Sequence, residues 1–223
     1  MQDFFVQSPE LVKSMKASLS APRFGRYLAS CGGDDDQAIR LYQWNSLISQ
    51  SLYVYIQCWE ICLRNKLNDF LCWKYNSAWP YDESRAVRNL KSDDQRRLRD
   101  CRLRQEASRQ VSPAPTNGIV ADLSAGFWVS LLSSKYDIPY AWRYNLPRIF
   151  PKDPALDRAT AWKICDNTLT LRNRIAHHEP LYDLPLETRY QDLQRAVSAM
   201  CLGTHAFADA TCTFRTVYAE RPT

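Results

Sequence analysis

Histidine is scarce in this chain, with three in 223 residues. Two of them are adjacent, inside TLTLRNRIAHHEP at 168–180, and the third, His205, stands alone. Long apolar runs are missing too. No segment approaches the roughly 18 consecutive apolar residues of a membrane-spanning helix, and the opening MQDFFVQSPE lacks the basic-then-apolar layout of a signal peptide. A cytoplasmic protein with no membrane contact is the expectation. Strict apolar/polar alternation occurs nowhere at strand length, which argues against a sheet, and there are no internal repeats or low-complexity segments. Cysteine is present at eight positions but without pairing: no C-x-x-C occurs, Cys58 and Cys62 lie four apart in an apolar helical run, and no histidine stands at finger spacing. This excludes a zinc ribbon and a disulfide framework. The thiols read as buried, reduced, small hydrophobes, and neither a metal nor another cofactor is expected.

What remains is ample for a core. The chain is 45% apolar and 12% aromatic, and its periodicity is helical almost throughout. Trp44, Ile48, Leu52, Tyr55, Trp59, Leu63, Leu67 and Phe70 step by four or three and so share one face, which predicts a long core helix. Ser20-Ala21-Pro22 punctuates the chain before it. Gly32-Gly33 then supplies a turn, and the acidic residues ahead of Ala38 suit a helix start. VSPAPTNG at 111–118 is a break. After it, IVADLSAGFWVSLLSSKY predicts one helix with Leu123, Phe127, Leu131 and Ser134 on a stripe; Phe127 and Trp128 suit a core or dimer interface better than a base-stacking platform. An all-α protein of one domain over residues 1–223 is expected.

The net charge is modest, 29 basic against 24 acidic side chains. Residues 85–109 hold nine basic and four acidic groups, a surplus equal to that of the whole chain. Such a surface attracts a polyanion without sequence preference, with Arg96, Arg97 and Arg99 the candidate RNA contacts. The plainer alternative is a solvated helix laced with pairs such as Asp93 with Arg97.

The histidine-bearing segment reads as a helix that starts at Asp153-Pro154, an N-cap and first-turn proline, and ends near His178, because Pro180 disfavours helix for the residue before it. Ile164, Thr168, Leu171 and Ile175 make its apolar face. On the adjacent stripe Asp166, Thr170, Asn173 and His177 form a polar ridge leading to the helix end, while His178 points about 100° away and serves to end the helix. The Arg172 stem can swing its guanidinium to the side of His177. Imidazole takes and gives a proton near neutral pH, guanidinium matches phosphate oxygens, and a carboxamide orients either partner. Together these groups suit cleavage of RNA by its own 2′-hydroxyl, a route that requires no metal. One histidine cannot readily serve both sides of the phosphorus, and two copies brought together in a homodimer resolve that shortage.

RNRIAH, Arg172 to His177, matches the R-N-x-x-x-H signature of HEPN domains. The wider pattern resembles the Abi-like (abortive infection) branch of that superfamily. LYQWNSLISQSLYVYIQCWEICLRNKL at 41–67, VADLSAGFWVSLLSSKYDIPYAW at 120–142 and LRNRIAHHEPLY at 171–182 resemble the family's three characteristic blocks, in its order. The likeness covers roughly residues 20–200 and leaves 1–19 and 203–223 peripheral. It implies a HEPN-type helical bundle with extra helices, acting as a dimeric, metal-independent endoribonuclease in phage defence or as a toxin, with an antitoxin protein or small RNA as its restraint. Arg172 would then bind the scissile phosphate, His177 would be the general acid or base, and Asn173 would orient them. Glu60, Arg64, Asn65 and His178 are supporting candidates. Glu60 pairs either with Arg64 on its own helix or with an arginine at the cleft. A HEPN protein that binds RNA or regulates without cleaving is the alternative.

Overall fold

The computed structural model describes residues 8–222; the MQDFFVQ segment on which the signal-peptide reading partly rests lies outside them. Among the described residues the protein is all-α, with twelve α-helices, two short 3-10 turns and no strand. In chain order these are α1 (Pro9–Leu19), α2 (Ala21–Ser30), α3 (Asp35–Lys74), α4 (Ser92–Arg109), α5 (Thr116–Asp122), α6 (Ala125–Ser130), α7 (Asp137–Tyr140), α8 (Trp142–Ile149), α9 (Arg158–Ala176), α10 (Leu186–Met200), α11 (Leu202–Thr211) and α12 (Phe214–Ala219). No helix among the described residues is long and apolar enough to cross a membrane.

The predicted core helix is α3. Its eight stripe residues, Trp44 through Phe70, are all 2% exposed or less. Gly32 and Gly33 turn the chain with φ of 62° and 91°, which suits glycine. Asp34 then accepts the Gln37 N–H at 3.0 Å, and Asp35 and Asp36 occupy the first turn, where the helix dipole favours negative charge.

The described chain groups into two compact units. One comprises residues 8–53, Pro180–Tyr182 and 212–222. Its core holds Phe24, Tyr27, Trp44, Ile48 and Leu181. Two hydrogen bonds organise it: the Trp44 indole donates to the Val217 carbonyl at 2.8 Å, and the Leu181 N–H donates to Asn45 Oδ1 at 2.6 Å. Tyr27 meets Tyr42 and Tyr182 edge-on.

The other unit comprises Val54–Glu179 and Asp183–Thr211. Here α9 and α10 pack together, with Asn167 donating to Asp192 at 2.7 Å. Phe70, Tyr140 and Trp142 form an aromatic cluster, extended by Tyr136 stacked on Tyr140. Phe127 and Trp128 are core residues at 0% and 1% exposure, which removes them as base-stacking platforms. His205, without a role in the sequence, shares a 2.7 Å hydrogen bond with the Tyr55 hydroxyl.

Three expectations are corrected. The helix foreseen over 119–136 breaks at Leu123, which is extended (ψ 129°), and Ser124 caps a new helix by accepting the Phe127 N–H at 3.4 Å. A serine hydroxyl offers the backbone an alternative to continued helix, and Ser134 ends up exposed instead of joining a stripe. The helix foreseen with Asp153 as its cap is capped four residues later, because Asp157 takes both the N–H and the hydroxyl of Thr160; those bonds hold the Asp157 carboxyl below its usual range. Asp153 pairs with Arg195 instead, at 3.1 Å. Finally, all eight cysteines are free thiols but only Cys101 and Cys165 are fully buried, where burial pushes each thiol up to about 12.

The second unit has one fully buried carboxylate, Asp94, at 0% exposure. It accepts the Tyr136 hydroxyl at 2.7 Å and faces Arg97 and Lys135 at 3.2 and 3.1 Å. Both cations are more than a third exposed and stay solvated without it, so removing Asp94 acts mainly through the buried Tyr136 hydroxyl, which loses its acceptor. Asp94→Ala is expected to lower unfolding free energy in urea by about 2 kcal/mol. The neighbouring Asp93→Ala, which loses only an exposed pair with Arg96, should cost less than about 1 kcal/mol.

Candidate functional site

The carboxyl-terminal end of α9 is built by backbone geometry that glycine usually supplies. The helix ends at Ala176, and His177 is its cap with φ −92° and ψ 6°. His178 takes the left-handed conformation at φ 56°. That turn lets the His178 N–H reach the Ile175 carbonyl at 3.0 Å and the Glu179 N–H reach the Arg174 carbonyl at 2.8 Å. The last carbonyls of the helix are thereby satisfied, and Pro180 prevents further winding. Arg174 fastens the turn from the side chain as well, bonded to Asp183 and 3.9 Å from Glu179. Sequence reading passed over Arg174, although an arginine in the last turn of a helix and an aspartate past a proline turn are the signal for such a tie.

On this framework Thr170, Asn173 and His177 are exposed, as the polar ridge requires, with Asp166 half-buried above them. Neither the Asn173 amide nor the His177 ring forms a side-chain hydrogen bond among the described residues. Thr168 and Leu171 face inward at 0% exposure, and Ile175 is half-buried. The helix therefore buries its apolar face and presents asparagine and histidine, one turn apart, to solvent.

Arg172 is placed by a residue 112 positions earlier: its Nε donates to Glu60 on α3 at 3.1 Å. Both side chains remain about a third exposed, at 37% and 30%, so the Coulomb gain is modest and the contact acts mainly to orient. Its two terminal nitrogens have no partner among the described residues, which leaves a planar two-nitrogen fork free to bind an oxyanion. Of the two pairings open to Glu60, the long-range one is formed. Arg64 bonds instead to its neighbour, with Nε 3.4 Å from Asn65 Oδ1.

The basic stretch divides differently from expectation. Arg96 pairs with Asp93 at 3.0 Å and Arg97 with Asp94 at 3.2 Å, both three residues apart, and Arg99 lies 3.8 Å from Asp100. The expected Asp93–Arg97 pair is not among the ion pairs of the described residues, because the inward Asp94 claims Arg97. All three arginines singled out for RNA are thus partly neutralised. Uncompensated charge lies just before them, at Arg85 and Arg88, which with Lys74, Tyr75 and Asn89 line a cleft of about 400 Å³ bearing no carboxylate. Lys74 on α3 joins them in space, which charge counting along the chain does not reveal.

No protein-family model, curated protein or solved structure matches this chain. Among the described residues, no three His, Cys, Asp or Glu side chains cluster to hold a metal ion.

Two outcomes follow from this geometry. Because His178 occupies a left-handed position, His178→Gly should raise stability by roughly 0.5–1 kcal/mol, read as an increased urea midpoint. Arg85→Ala with Arg88→Ala should move elution from a heparin column to distinctly lower salt, whereas Arg96→Ala with Arg99→Ala should move it less.

Proposed function

We propose that this chain is a metal-independent endoribonuclease of the HEPN type, working as a symmetric homodimer with a HEPN-type helical bundle in each subunit. The observation that carries the reading is the partnerless set at the end of α9: an oriented guanidinium fork on Arg172, the Asn173 amide and the His177 ring, all solvent-accessible. Side chains that stand in solvent without a protein partner can exchange water for the oxygens of a bound phosphate, and here three such groups share one helix end. The resemblance of RNRIAH and its flanking blocks to Abi-like HEPN proteins supports the same reading.

The chemistry assigns each group a part. Arg172 binds the scissile phosphate and, held at Nε by Glu60, stabilises charge gathering on its oxygens. An imidazole removes the 2′-hydroxyl proton. The 2′-oxygen attacks phosphorus, the bond to the 5′-oxygen breaks, and the departing oxygen takes a proton from an imidazolium on the opposite side. The products are a 2′,3′-cyclic phosphate and a 5′-hydroxyl. His177 supplies one of these functions and His177 of the partner subunit the other, while Asn173 orients the pair. His178, turned into the left-handed stop, has no part in proton transfer. Action on RNA in the cytoplasm, in phage defence or as a toxin held in check by a protein or small RNA, belongs to the same reading.

Purified protein incubated with mixed RNA in EDTA is expected to cleave it. His177→Ala should lower the rate by about 10²–10⁴-fold, while His178→Gly retains activity. Cleavage that survives His177→Ala, or that needs added metal, overturns the mechanism. Binding without cleavage by the unaltered chain would favour the non-cleaving reading. Full activity from a species that scattering identifies as a monomer would overturn the paired site.

A further inference from the structure

One helical turn along α3 from Glu60, a rise of about 6 Å, Arg64 enters a cleft of about 400 Å³ that Asn65, Asn68, Thr116, Asn117 and Val120 also line. The lining sets amide, hydroxyl and guanidinium groups beside apolar surface that includes the mostly buried Val120, and no carboxylate is part of it. Three asparagines in one cleft would ordinarily offer donors and acceptors alike. Here each has its oxygen engaged. Asn68 Oδ1 accepts the Trp79 indole N–H at 3.0 Å, with the Cys72 thiol at 3.8 Å. Asn65 Oδ1 accepts from Arg64 Nε at 3.4 Å, and Asn117 Oδ1 accepts the Gly118 N–H at 2.8 Å. An indole N–H, a guanidinium N–H and a backbone N–H can only donate. Each contact turns the amide oxygen toward its protein partner and the nitrogen toward what remains, most firmly at Asn68 and least at the exposed Asn65, whose bond is 3.4 Å long.

What remains is a set of hydrogen-bond donors. The three amide NH₂ groups have no acceptor among the described residues, and neither do the terminal nitrogens of Arg64. A ligand that satisfies them must present acceptors. Phosphate oxygens do so regardless of sequence, but base edges divide. Guanine offers O6 and N7, and uracil offers O4, whereas adenine and cytosine place an exocyclic NH₂ on the same edge. Against this wall an amino base brings N–H to face N–H, and a keto base pairs.

Resting on the RNA-cleaving reading above, we infer that the Arg64, Asn65, Asn68 and Asn117 cleft is a base-recognition subsite, which takes a guanine or uracil nucleotide beside the phosphate held by Arg172. Arg64 contacts the backbone of that nucleotide, the amides read its keto edge, and Val120 backs the base. The cleft thus gives the cleavage a base preference that the guanidinium and imidazole at the reacting phosphate do not supply.

The test uses the full chain carrying His177→Ala, so that binding is read without cleavage. Fluorescence anisotropy compares two short labelled RNAs, one of alternating G and U and one of alternating A and C. Preference for the G/U strand by about tenfold is expected, in the range a well-made base contact supplies. Asn65→Asp with Asn117→Asp keeps the oxygens that bond Arg64 and Gly118 but replaces two donors with acceptors of the same shape. Both strands should weaken through added negative charge, and the G/U to A/C ratio should fall to unity or invert. Equal binding of the two strands by the parent, or a ratio unmoved by the double substitution, overturns the subsite and leaves the RNA reading standing. Failure to bind either strand overturns the RNA reading and the subsite with it.

Discussion

An apolar stripe along a 40-residue helix must be covered over its whole length, and that requirement decides where much of this chain goes. Trp44, Ile48 and Leu52 give the stripe to one compact unit; Tyr55, Trp59, Leu63, Leu67 and Phe70 give it to the other. Burial of aromatic and aliphatic side chains on this scale is the largest favourable term available to a helical protein. The same periodicity also sets the register of the polar row. Glu60, Arg64 and Asn68 each follow an inward residue by one position, about 100° around the axis, so the row stands half-buried on the flank of the covered stripe.

At the end of α9 backbone and side chains meet opposite demands. The helix must stop immediately beyond His177 for that ring to project from a final turn, yet the residue available for the stop is not glycine. His178 accepts the left-handed conformation, and the paired carbonyl bonds, Pro180 and the Arg174 tie to Asp183 hold it there. Local preference yields to the surrounding structure, as it does where a position serves something other than its own stability.

The helical class and the α3 stripe were legible because 3.6-residue periodicity sustained over 27 positions leaves few other interpretations. Boundaries were less so. Asp153 and Asp157 are both competent caps, and only Thr160 distinguishes them; Ser124 interrupts a run whose hydrophobicity alone favours continuity. Partner choice was least legible. Glu60 had Arg64 one turn away yet bonds Arg172, and Asp94 draws Arg97 from Asp93, because both choices depend on which face each helix turns inward. The exposed ridge of Thr170, Asn173 and His177 followed from spacing alone, whereas the cleft beside Arg64 depends on α5 and a tryptophan eleven residues beyond Asn68, which no local pattern brings together.

The Trp79 indole behind Asn68 has an evolutionary consequence. Which atom of that amide faces outward is decided not by the wall but by a buried ring that touches no solvent, being 1% exposed. Drift at the surface can change which groups line the cleft, but it cannot reverse the outward polarity of Asn68 while the tryptophan stays. A lineage with a different hydrogen-bonding taste at this place would first have to rebuild its interior, so the hidden ring acts as a ratchet on the visible one-letter changes around it.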